Sequence, residues 1–61
     1  MSNSENITIF SYLVVFIEPI ENSRQSEVVD AKNGKEAINM IKEKYKGYFF
    51  GPTVLYIQKL D

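Results

Sequence analysis

Ile7-Thr8-Ile9-Phe10-Ser11-Tyr12-Leu13-Val14-Val15-Phe16-Ile17 is a run of β-branched and aromatic residues whose reading decides the fold. As a β-strand it sends Ile7, Ile9, Leu13, Val15 and Ile17 to one face and Phe10, Tyr12, Val14 and Phe16 to the other. A small sheet covered by a single helix buries only one of those faces. The other calls for a partner, either a second copy or a target protein.

Working outward, residues 1–6 are polar and are expected to fray. Pro19 ends the first strand, and Glu18 to Gln25 carries the charge, Asn22 and Ser23 of a hairpin loop. A weaker strand follows over Ser26 to Ala31, with Val28 and Val29 as its main apolar groups, and its weakness places it at a sheet edge. Asn33 then caps a helix with Glu36 three residues on, the spacing of a capping box. Ala37, Ile38, Ile41 and Tyr45 recur at helical spacing with Met40 beside them, and Gly47 is the expected C′ residue. After Gly51-Pro52, a last strand over Thr53 to Leu60 alternates Val54, Tyr56 and Leu60 against Thr53, Leu55 and Ile57.

The order is ββαβ, an α+β domain. A right-handed crossover sets the third strand beside the first and gives the sheet order 2-1-3. The helix is expected over Ile9, Leu13, Val15 and Ile17. Phe10, Tyr12, Val14 and Phe16 are then left facing outward. Which face of strand three meets the helix stays open, because a slip of one residue exchanges them.

Composition narrows the function. Sixty-one residues make one small domain near the lower limit for unaided folding. The absence of Cys removes disulfides and thiolate zinc sites, and the absence of His removes the commonest metal ligand and general base. Oligomerisation is the remaining way to add stability. A net charge of −1 lacks the basic balance of a nucleic-acid binder. The apolar run, interrupted by Thr8, Ser11 and Tyr12, is too short and too polar to span a membrane, so a cytoplasmic protein is expected.

The preferred reading of Phe10, Tyr12, Val14 and Phe16 is an oligomer interface, since aromatic residues are enriched there. Two other readings stay open: that this stripe is the core with the aliphatic stripe outside, or that it is a base-stacking platform. Tyr48, Phe49 and Phe50 form a second candidate patch. They lie in Lys46-Gly47-Tyr48-Phe49-Phe50-Gly51, which resembles the start of an RNP1 motif. The run departs from that motif at Phe49, where a small residue is wanted, and a Gly-terminated helix with packed aromatics explains it better. Lys42, Lys44 and Lys46 sit at i, i+2 spacing and read as a solvated helix surface. Glu18 with Glu21, and Glu27 with Asp30, lack a concave pocket to perturb them and are read as solvated surface carboxylates, and no G-x-S-x-G, P-loop or metal-ligand spacing is present. No enzymatic activity and no cofactor are expected.

The block Val28-Val29-Asp30-Ala31-Lys32-Asn33-Gly34-Lys35-Glu36-Ala37-Ile38 looks like the strand-to-helix junction of many small ββαβ proteins. In those, a V-x-A-x-(N/D)-x-x-E-A-I run leads into the covering helix. In size and layout the chain resembles small early proteins of phages that infect Gram-positive bacteria, some of which disable host enzymes or antiviral-defence proteins. That resemblance implies a non-enzymatic inhibitor acting by binding, often as a dimer, and carries no functional residue across. The expected function is a homodimeric module that binds another protein. The alternatives are a single-stranded nucleic-acid-binding protein, using Lys46, Tyr48, Phe49 and Phe50 beside the sheet aromatics, or an accessory subunit of a larger complex. Phe16→Asp tests the assignment of faces: a soluble, folded monomer marks an interface, and global unfolding, read by circular dichroism, marks the core.

Overall fold

A computed structural model describes residues 8–60, which form β1 (Phe10–Ile17), β2 (Arg24–Ala31), α1 (Gly34–Lys44) and β3 (Thr53–Lys59). The expectations for residues 1–6 and for Ile7 lie outside the described residues. The sheet order is β2-β1-β3, with both neighbours antiparallel to β1. The ββαβ order and the 2-1-3 sheet read from the sequence are therefore those of the structure. Among the described residues, no helix is long and apolar enough to cross a membrane.

β1 and β2 pair without interruption from Phe10↔Ala31 to Ile17↔Arg24, so β2 begins two residues earlier than expected. The loop 18–23 is closed by the Glu18 N–H donating to the Ser23 carbonyl at 2.8 Å. Asn22 takes φ +61 there, a left-handed conformation that Asn tolerates better than most residues.

The start of α1 is specified locally. The Asn33 side chain accepts from the Glu36 N–H at 2.8 Å, as a cap should. The Glu36 carboxylate reaches one residue further back than in a standard capping box, accepting from the Lys32 N–H at 2.9 Å. The helix ends at Tyr45 rather than running up to Gly47. A turn closed by Tyr48 N–H to Tyr45 C=O follows, and Gly47, its third residue, has the positive φ of +101 that a type II turn requires.

The assignment of faces is reversed from expectation. Phe16, Val14, Ala37 and Ile41 are fully buried together, with Tyr12 and Ala31 beside them and Phe10, Val29, Tyr45, Val54 and Ile57 packed around them. The helix covers the aromatic face, and Phe10, Tyr12, Val14 and Phe16 are core rather than interface. The flanking strands give the reason. On this face β2 contributes Gln25, Glu27, Val29 and Ala31, with Glu27 ion-paired to Lys44 of the helix. On the other it contributes Arg24, Ser26, Val28 and Asp30, whose two charges have no ion-pair partner among the described residues. Burying the second set would strip water from two charges.

β3 has a single irregularity. Tyr56 opposes Val15 but Val54 opposes Phe16, so Leu55 is an extra, bulged residue. The bulge changes the parity of the strand and brings Val54 and Ile57, which plain alternation separates, to the same covered face. Lys59 places its ammonium 3.7 Å from the centre of the Phe10 ring at the far end of that face. At the other end of α1, Lys44 is ion-paired with Glu27 of β2.

Truncating a fully buried Phe costs about 3–5 kcal/mol, and a domain of this size is stable by roughly the same amount. Phe16→Ala is therefore expected to leave the chain mostly unfolded in a urea titration followed by circular dichroism. Gly34→Ala tests the opposite direction. The added Cβ would lie 3.7 Å from the Ile57 side chain, ordinary contact, at a helical position with no positive φ. A gain of about 0.5–1 kcal/mol in the same titration is expected.

Candidate functional site

With the aromatic stripe under the helix, the uncovered face of the sheet carries Leu13, Val15 and Ile17 down its centre, flanked by Val28 of β2 and Tyr56 of β3. Val28 and Tyr56 are exposed, Leu13 and Ile17 half-buried, and Val15 between them is buried. Leu13, Val15 and Tyr56 line a shallow depression with Arg24, Gln25 and Ser26. This apolar strip bordered by polar groups has the layout of a binding surface.

The second candidate patch, Tyr48, Phe49 and Phe50, is exposed and not packed under the loop that follows the helix. Phe49 is 93% and Phe50 72% accessible, and Tyr48 is half-exposed. The Phe49 and Phe50 rings meet edge to face at 4.7 Å. Tyr48 is anchored through Tyr45, at 6.3 Å, to Phe16, at 5.9 Å from Tyr45. Phe50 shares a cleft with Ile17, Glu18, Pro19, Asn22, Gly51 and Thr53, which joins this patch to the β1–β2 loop.

That loop is held by a carboxylate that sequence reasoning assigned to the solvated surface. Glu18 is 5% accessible. It accepts from the Ser23 hydroxyl at 2.6 Å and from the N–H groups of Ile20, Glu21 and Ser23 at 2.6 to 3.2 Å. Pro19 has no N–H to offer, so the series begins at Ile20. The Ser23 hydroxyl is the main reason the Glu18 carboxyl sits below its ordinary pKa. Burial opposes the shift, and the N–H groups of Glu21, Ile20 and Ser23 reinforce it. An acid opening a short loop rich in N–H donors was the available signal in the sequence. Its work is structural: it fixes the loop that bears exposed Ile20.

The remaining candidates do not converge. Lys32 lies 3.9 Å from Glu36, Lys46 lies 3.3 Å from Glu43, and Lys44 is paired with Glu27, so these lysines have carboxylate neighbours instead of forming one cationic patch. Phe10, Tyr12 and Phe16 are not presented for base stacking, and Lys46 to Gly51 is turn and loop. Among the described residues, no group of three His, Cys, Asp or Glu could hold a metal ion. Comparison with known proteins yields no match to this chain, whether to a family model, a curated protein or a solved structure.

The lowered pKa of Glu18 sets a pH dependence. Its carboxylate form is favoured in the folded chain, so its contribution is complete above the unfolded value, about 4.3 for Glu. It is lost as pH falls through the depressed folded value. Glu18→Gln is expected to lower the melting temperature at pH 7, with the gap to the parent closing below about pH 4.3. A gap that stays constant down to acid pH would show that the charge is not what holds the loop.

Proposed function

We propose that this chain is a non-enzymatic protein-binding module that works as a homodimer. The observation that carries the reading is the one-sided cover of the sheet, which leaves Leu13, Ile17, Val28 and Tyr56 accessible around Val15, itself buried among its neighbours, on the face without the helix. A 61-residue chain without Cys has few other means of adding to its stability. The exposed Phe49 and Phe50 add aromatic anchors of the kind that dominate protein–protein contacts. In its specific form, following the likeness in size and layout to small phage early proteins, the module inhibits a host protein by occupying its surface.

Light scattering over two decades of concentration is expected to give twice the 7.1 kDa chain mass, with a melting temperature that rises with concentration. A mass of 7.1 kDa throughout overturns the homodimer. A dye that fluoresces on apolar surfaces should bind the native protein, and Leu13→Lys should lower that signal, leaving the part due to Phe49 and Phe50, without unfolding the chain. A dark native protein would show that the strip is not an accessible platform.

A further inference from the structure

We propose that two copies join through the free edge of β2, strand against antiparallel strand, about a twofold axis beside Glu27, to build a six-stranded sheet. This rests on the reading that the chain self-associates, and it specifies where.

The backbone identifies which groups are available. The Glu18 N–H donates to the directly opposed Ser23, and the Leu60 N–H to the directly opposed Ser11. Antiparallel bonding alternates along a strand, so even-numbered residues of β1 bond to β2 and odd-numbered ones to β3. In β2, residues Gln25, Glu27, Val29 and Ala31 therefore turn their N–H and C=O groups toward β1. Arg24, Ser26, Val28 and Asp30 turn theirs outward, along an edge that no other strand of the chain covers among the described residues.

The two edges of the sheet differ in kind. β3 is broken by the Leu55 bulge, one of the devices that blunt an edge against pairing. β2 runs for eight residues with no Pro, Gly or bulge. It is the edge fit to accept another strand.

Its sequence is also self-complementary in one register. An antiparallel copy can bond only where outward residues meet outward residues. Centring the axis on Glu27 opposes Arg24 to Asp30 of the second copy and Ser26 to Val28 of the second copy. All four outward residues of each copy are then used, and each opposed pair exchanges two hydrogen bonds. Centring on Ser26 leaves Asp30 without a partner. Centring on Val28 sets Arg24 against a like charge, Lys32 of the second copy. Among the described residues, neither Arg24 nor Asp30 has an ion-pair partner within the chain, and Asp30 accepts only the Ser11 hydroxyl at 2.9 Å.

One contact opposes this register. Glu27 meets its own copy on the helix-covered face, and like charges directly opposed are destabilising. Each Glu27 is already ion-paired with Lys44, so the axis carries two cations and two anions. Val28, 60% accessible in one chain, lies diagonal to its own copy on the uncovered face. The apolar strips of the two copies become parts of one surface.

The test uses the full chain. Arg24→Asp and Asp30→Arg each set like charges in both outer pairs, so each variant alone is expected at 7.1 kDa by light scattering while circular dichroism remains native. Mixed one to one, they set unlike charges in both outer pairs again, one pair as in the unaltered protein and one reversed, and the mass should return to that of a dimer. Amide hydrogen exchange of the unaltered protein provides a readout that needs no substitution: the N–H groups of Arg24, Ser26, Val28 and Asp30 should be protected at dimeric concentrations. Variants that stay dimeric, or fast exchange at those four amides in a dimer, overturn the β2 edge and leave self-association standing. An unaltered chain that is monomeric throughout overturns both.

Discussion

Everything in this fold depends on the packing of Phe16 and Val14, in the central strand, under Ala37 and Ile41 of the helix. Ala37 is small enough to let the helix axis come close, and Ile41 fills the space one turn on. Phe16 is the largest of the fully buried side chains. A domain this small has no second core to fall back on, so the orientation of the helix, the closed side of the sheet and the side left open follow from this contact.

Both faces of β1 are apolar, and the choice between them is made by its neighbours. Val29 and Ala31 on one side, and Val54 and Ile57 on the other, line the face that is covered, and the charges at its margin, Glu27 and Lys59, are met by Lys44 and the Phe10 ring. The opposite face is bordered by Arg24, Ser26, Asp30, Thr53 and Gln58. A covering helix would have to desolvate those groups without supplying partners, at a cost greater than the gain from burying Leu13 and Ile17. The aliphatic strip is left outside because of the groups beside it.

That arbitration marks the limit of what the sequence revealed. The number, order and pairing of the elements were legible, because β-branched runs, Pro19, the Asn33 cap and the 3.6-residue stripe of the helix are local signals. The covered face was not legible from strand one alone, since it required the register of β2, and a six-residue loop does not fix register. The Leu55 bulge left no sequence signature, and without it Val54 and Ile57 cannot share a face. Tyr48, Phe49 and Phe50 were legible as lying outside any regular element because Gly47 and Gly51 bracket them, but their exposure was not, since aromatic rings beside a helix end more often pack under the loop. Glu18 was misread because a carboxylate in a polar loop looks the same whether it is solvated or gathers backbone donors.

The placement of β1 between its two neighbours also has a consequence for the order of folding. Pairing β1 with β2 closes a loop of six residues, 18–23, whereas pairing it with β3 encloses residues 18–52, about six times as many. As flexible chain, the longer closure costs about 1.5 kcal/mol more in entropy. Forming α1 reduces that difference, because its eleven residues then span only about 16 Å. The helix is therefore a tether as well as a lid. The hairpin can assemble from local contacts, and the helix, once formed, shortens the path by which the third strand reaches its place. A lesion that melts the helix would uncover the core and also release β3, leaving both edges of the central strand's hairpin unguarded.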